Sequence, residues 1–263
     1  MMTERRDGMM RGDALALGFR GLLRRTRIRI TEARFHGAYI ELERQKAAQR
    51  ADFAVLREDA SDRYAQIRDC WIPHFVLEDW RAHAADLERC LLPQPRFDFL
   101  RLEPLLKTMV ITLGGRVMRR QLNFLEDCYS EPELILLLEE DLVGGPVLMN
   151  RRYRTSHQAI HHLYHLGRFS TDLRLDRISL DGVTIEWGGG YGGIIKLLRR
   201  VDSSEATQIV IDLPIFALLQ WLYLGTVFGP QHVKIATPEA SQVEKGKINL
   251  FPLGLVDAIP SIA

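Results

Sequence analysis

The spacing of apolar positions changes partway along the chain, and the change predicts a helical region followed by an α/β region. From about Gly37 to Arg89, apolar and charged residues alternate at helical spacing, as in Tyr39 and Leu42, Phe53 and Leu56, and Tyr64 and Ile67. Long amphipathic helices are expected there. Pro73, Pro93 and Pro95 punctuate them, because proline cannot donate to a helix ladder. A second helical block spans 102–142, with breaks expected at Gly114-Gly115 and at Ser130-Glu131-Pro132, where serine as N-cap and proline in the first turn mark a helix start. Gly144-Gly145-Pro146 closes that block, and Thr155 to Phe169 reads as one more helix capped by Thr155 or Ser156.

After Asp181-Gly182 short β-branched runs begin to alternate with helices. Val183-Thr184-Ile185 predicts a strand, Ile194 to Val201 a helix, Gln208 to Ile211 a buried strand and Pro214 to Phe228 a second helix. A third strand is expected within His232 to Leu253, either at Val233 to Ala236 or, preferentially, at Ile248 to Leu250. Such alternation predicts a parallel sheet with crossover helices. The fold class is therefore α/β, with a mainly helical region over 1–150 and a sheet-containing region over 151–263.

The candidate chemistry sits in the loop after the first of these strands. Gly188, Gly190 and Gly193 satisfy the dinucleotide pattern GxGxxG, and Asp212 follows at a spacing compatible with a ribose contact. Glu186 changes that reading. A carboxylate at the strand end, beside loop amides that would otherwise collect a pyrophosphate, repels phosphate and attracts a cation. S-adenosylmethionine (SAM) carries no phosphate and presents an ammonium and a sulfonium. Glu186, Gly188, Gly190 and Gly192 fit the stricter pattern acid-x-Gly-x-Gly-x-Gly, with the glycines letting the backbone approach the methionine portion of SAM. The alternatives are a dinucleotide site and a glycine-rich turn without a ligand. Asp212, ending the second strand, can accept both ribose hydroxyls, or it can cap the helix that begins at Pro214; Leu213 can wall an adenine or simply fill the core.

Four runs carry a family resemblance: YRTSHQAIHHLYHLGRF, IEWGGGYGG, IVIDLPIFALLQWLYL and KINLFPL. Together they resemble the sugar O-methyltransferase family typified by the enzyme of nanchangmycin biosynthesis, over roughly Phe124 to the C-terminus. The resemblance implies a class I SAM-dependent methyltransferase with a Rossmann-like sheet, SAM as cofactor and a sugar or glycoside hydroxyl as acceptor. Only three strands fit before Ala263, fewer than the full sheet so implied. The expectation is a C-terminally truncated, partial domain whose first strand lacks a neighbour on one side, with Gly254 to Ala263 forming the helical turn before a further strand.

The helix from Thr155 bears His157, His161 and His165 at intervals of four, with His162 adjacent. A histidine can take the proton lost when an alcohol is methylated, and His161, then His157, are the candidates for that base; structural roles and a metal pair are the alternatives. Arg154, at the opening of the same helix, is a candidate for pairing with the SAM carboxylate.

Composition narrows the partners. Of 263 residues, 35 are Lys or Arg and 34 are Asp or Glu, so no net field recruits nucleic acid or an anionic membrane. The arginine-rich N-terminus is interrupted by Glu4, Asp7 and Asp13 and is expected to be peripheral, and no apolar stretch suits a membrane span. Cys70, Cys90 and Cys128 are odd in number and widely spaced, which suits a reducing cytoplasm and small buried side chains. A homo-oligomer is compatible with these features. The leading function is SAM-dependent O-methylation; a non-catalytic SAM-binding or interaction module and an NAD(P)-dependent oxidoreductase are the rivals.

Overall fold

The computed structural model describes residues 21–111, 115–174, 182–201 and 206–259. Gly114, Asp181, the first twenty residues and the last four lie outside the described residues, so the expectations placed on them are not addressed.

A helix through 21–34 (α1) leads into α2 (His36–Lys46) and α3 (Gln49–Ile67). On α3 the buried residues Phe53, Leu56, Ala60, Tyr64 and Ile67 recur at helical spacing and form one stripe. Next come α4 (Glu78–Leu91), α5 (Glu103–Thr108), α6 (Arg116–Cys128) and α7 (Glu131–Leu138). The start of α7 follows the expected chemistry: Ser130 and Glu133 form a reciprocal capping box, with proline in the first turn. A short antiparallel pair then joins β1 (Leu148–Asn150) to β2 (Thr155–Ser156). The sequence pattern did not indicate this pair, because two or three residues establish no period. Ser156 caps α8 (His157–Asp172) by accepting from the Ala159 amide at 3.1 Å.

A parallel sheet of four strands follows, where the sequence indicated three. Its order is β3 (Val183–Trp187), β4 (Thr207–Asp212), β6 (Ile248–Pro252) and β5 (Val233–Ile235). Both candidate segments for the third strand are strands. The preferred one, β6, pairs directly with β4, and β5 lies outside it. Burial explains the register. β4 is buried along nearly its whole length and β6 throughout, polar Gln208 and Asn249 included, as inner strands of a parallel sheet covered on both faces should be. β3 pairs with β4 alone among the described strands, and its Val183, Ile185 and Trp187 are exposed. The residues after β6 form a 3-10 helix over Leu253–Ala258.

The crossover helices are α9 (Gly193–Val201) and α10 (Pro214–Phe228). Every residue of α10 from Pro214 to Thr226 is buried. A helix apolar on all sides needs cover all round, and α10 finds it between the sheet and α3 of the helical region. One continuous core therefore joins Phe53 and Leu56 of α3 to Trp221 and Leu222 of α10 and to Val210 and Leu250 of the sheet. No described helix is long and apolar enough to cross a membrane. The cysteines correct one expectation: Cys90 and Cys128 are exposed and Cys70 is half-buried, so none is a buried filler.

Candidate functional site

A cavity of about 340 Å³ opens at the carboxyl ends of β3, β4 and β6, where ligands of open parallel sheets bind. Gly188 and Gly190 line it from the loop, and Asp212 and Leu213 from the end of β4. Thus four of the candidate residues meet in one cavity. The other two loop candidates support it from behind.

The loop geometry requires glycine. Gly188, Gly190 and Gly192 adopt positive φ, a region that other residues enter at a cost. Gly189 has no room for a side chain: a Cβ there would lie 2.5 Å from Cγ1 of Val210. Gly192 does not line the cavity; it packs against Leu224, whose side chain a Cβ would meet at 3.0 Å. The loop is also tied to β4. The Gly190 amide donates to Oδ2 of Asp212 at 3.0 Å, the Gln220 side-chain amide donates to the same oxygen at 2.9 Å, and the Leu213 amide donates to Oδ1 at 2.8 Å. Asp212 is therefore both a wall of the cavity and the anchor of the loop. A carboxylate has about four acceptor sites, so three protein donors leave capacity for a ligand hydroxyl.

Glu186 sits beneath the loop, its Oε2 directed toward Gly189. That oxygen is buried and has no hydrogen-bond partner among the described residues. Burial, helped by the nearby Asp212 charge, pushes the Glu186 carboxyl up to about 7; burial also raises Asp212 to about 7, against the pull of its three hydrogen bonds. Both acids beside the loop therefore titrate near neutral pH, where an arriving positive charge would favour their ionised forms.

The remaining wall comes from the helical region. Phe75, Leu77 and Trp80 line the cavity opposite the loop, Met109 packs against Gly190, and Trp187 stands at the end of β3. The sequence analysis assigned none of these to the site. Phe75, Leu77 and Trp80 follow Pro73, and Trp187 lies between Glu186 and Gly188 in the glycine-rich run, but no motif marked them.

His157 and His161 of α8 face elsewhere, whereas His162 lies against Gly193 at the start of α9. Gln121 of α6 donates to Nδ1 of His161 at 2.8 Å, and Nε2 of His157 donates to Oε1 of Gln121 at 3.1 Å. With Nδ1 accepting, Nε2 of His161 is the donor to His165 at 3.1 Å. Neither His157 nor His161 lines the cavity; both fasten α8 to α6. Burial and the neighbouring histidines hold His161 below its usual pKa. His161→Ala is expected to cost about 1 kcal/mol through the lost hydrogen bond. Thermal melting should then fall by about 2–4 °C, with affinity for a ligand of the cavity unchanged within about twofold.

Arg154 forms a salt bridge with Glu139, away from the cavity. A larger cleft, about 530 Å³, lies among the N-terminal helices, but its arginines are committed: Arg101 to Glu32 and to the Gly145 carbonyl, Arg50 to Glu43. Among the described residues no group of three or more His, Cys, Asp or Glu is placed to hold a metal.

Behind the loop, α9 carries a buried charge network. Nζ of Lys196 lies 2.8 Å from Oε2 of Glu140 and 3.5 Å from Oδ2 of Asp141, and Arg200 pairs with Asp141 at 2.7 Å. Burial alone would discharge Lys196, but Glu140 and Asp141 hold its pKa above the usual value. Asp141 is likewise kept ionised, against its burial, by Arg200 and Lys196. The network clamps α9, through Lys196 and Arg200, to the segment after α7.

The two acids near the loop also set a pH dependence. The folded protein keeps protons that an unfolded Asp or Glu releases near pH 4, so their contribution to stability falls as pH rises from about 4 to about 7 and then levels off. His162, which burial holds neutral down to about 4, works in the opposite sense below about 6.5. Between pH 6.5 and 8 the protein without ligand is expected to melt at lower temperature as pH rises. Glu186→Gln should shrink that drop; an unchanged drop would show that Glu186 is not the titrating group.

Comparison with protein-family models, with curated proteins and with solved structures found no match to the chain.

Proposed function

We propose that this chain binds S-adenosylmethionine and carries the methyl-donor half of a class I, Rossmann-like O-methyltransferase acting on a sugar hydroxyl. The observation that carries the reading is the carboxylate pair: Glu186 and Asp212, at the ends of adjacent parallel strands, flank a glycine loop, and burial pushes both up to about 7, so that a cation beside them would favour their ionised forms. The unpartnered Oε2 of Glu186 lies beneath the loop and outside the cavity lining, so it would favour an ammonium through the loop and not by direct contact. Gly188 and Gly190 would let the backbone meet the methionine portion, Asp212 would accept from the ribose, and Leu213 would wall the adenine. Bound there, SAM supplies an electrophilic methyl group to the acceptor oxygen, which loses its proton. The cavity itself provides positioning. The sugar acceptor rests on the family resemblance of the sequence runs. A dinucleotide pyrophosphate would have to sit beside Glu186, which counts against an oxidoreductase, while Asp212 suits the ribose of either cofactor.

A second reading, a non-catalytic SAM-binding module, is favoured by one observation: no histidine, lysine or tyrosine lies among the described residues lining the cavity to take a proton. Formation of S-adenosylhomocysteine (SAH) with an acceptor present separates the two. The shared claim is tested by thermal unfolding. SAM at about 100 times its Kd should add about 2.7 kcal/mol, a rise of about 5–11 °C for a chain of this size, whereas NADH should leave the transition in place. The reverse pattern would remove the reading.

A further inference from the structure

We infer that the methyl acceptor is an uncharged hydroxyl compound with a flat apolar face, held on an aromatic ledge that the helical region contributes to the mouth of the cavity. The inference rests on the methyl-donor reading and adds the acceptor's place and chemistry.

The ledge consists of Phe75 and Leu77, in the connection between α3 and α4, with Trp80 in the first turn of α4 and Trp187 facing them from the end of β3. These side chains are large and apolar, yet Phe75 is 69% exposed, Leu77 73% and Trp187 65%. Apolar groups clustered and left open to water at the rim of a cavity mark a binding surface. Trp80 is held in place: its ring meets Phe216 edge-on at 6.2 Å and His83 at 5.3 Å, while His83 stacks on Phe216 and bonds to Oγ1 of Thr108 at 3.2 Å. A ledge fixed before binding loses little freedom when a ligand arrives.

Size and charge separate the acceptor from the donor. About 340 Å³ is near the lower end of single-ligand cavities, so a donor over Gly188, Gly190 and Asp212 leaves the acceptor the open mouth, where the exposed rings are. No Lys, Arg or His is among the described lining residues, and the acid at the site is Asp212. A phosphate or carboxylate on the acceptor would find no cation there and would face an acid. A sugar C–H face or an aromatic ring, by contrast, can lie flat on these side chains.

The test titrates the full chain calorimetrically with phenyl β-D-glucopyranoside and with its 6-phosphate, each with and without saturating SAH. The expected result is at least tenfold tighter binding of the neutral glucoside. Substituting both Phe75→Ala and Leu77→Ala should weaken the glucoside about tenfold while SAH affinity stays within about threefold. Equal or tighter binding of the phosphate, or glucoside binding indifferent to the paired substitution, overturns the inference even if SAH binds normally. A protein that ignores SAH yet binds the glucoside through these residues instead removes the methyl-donor reading and keeps the ledge.

Discussion

Replacing Asp212 by alanine is expected to weaken SAM binding by about 100-fold. A hydrogen bond to a charged group contributes about 1.5–3 kcal/mol, and about 1.4 kcal/mol is a factor of ten in Kd. Asp212 holds the loop by the Gly190 amide and, on the proposed function, also accepts from the ribose, so its loss would remove a ligand contact and loosen the loop together. Asp212→Asn separates the two effects, because it keeps the shape and one acceptor oxygen but removes the charge. It should lose most of the affinity with a smaller loss of stability. Full SAM affinity in both variants, measured by calorimetry, would show that the carboxylate plays no part in binding.

The largest stability change is expected at Lys196, which lies outside the cavity. Lys196→Met removes the partner of a buried carboxylate and leaves Glu140 without its cation. Breaking such a pair typically costs about 3–5 kcal/mol, or about 6–20 °C of melting temperature for a chain of this length. Adding Glu140→Gln to Lys196→Met should recover part of the loss, since no uncompensated charge is then buried; chemical denaturation of the single and double variants gives the coupling. SAM binding by the remaining folded protein should persist, because the network touches α9 from behind the loop. A single variant as stable as the original would mean that Glu140 is already satisfied elsewhere.

These two sites differ sharply in how legible they were. The loop was readable because its chemistry is local: an acid, then glycines at alternate positions, then a helix, within one short run. α10 was readable for a similar reason, since Pro214 opens it and Gly229 follows it, and its bounds agree with those expected from sequence. The Lys196 network was not. It joins α9 to Glu140 and Asp141, more than fifty positions away, and the sequence shows only an acidic run and a basic helix with no sign that they meet in the core. β5 and β6 show a further limit: each alone reads as a short apolar run, and only the sheet shows that both are strands and which one is central. The histidines illustrate a third. Their spacing placed His157, His161 and His165 on a broad face, but which neighbour that face meets depends on how α8 packs, and the neighbour is Gln121 of α6. The aromatic ledge was hidden for the same reason, because Phe75 and Trp80 reach the loop only through the packing of the helical region on α10.

The central claim is that Glu186, with Asp212 beside it, makes the loop a site for a cation and not for a phosphate. The pH dependence of affinity tests it most directly, by titrating the protein with SAM and with NADH from pH 5.5 to 9. The ammonium of SAM, as an α-amino group, loses its proton near 7.7–8.0, and the two carboxyls ionise near 7. SAM affinity should therefore rise as pH increases toward 7, pass through a maximum between about 7 and 8, and fall again. Any NADH binding should weaken steadily as pH rises through 7 and the acids become charged. A SAM affinity that is flat or falls between pH 6 and 7, or NADH binding that strengthens there, would contradict the assignment of these two carboxylates.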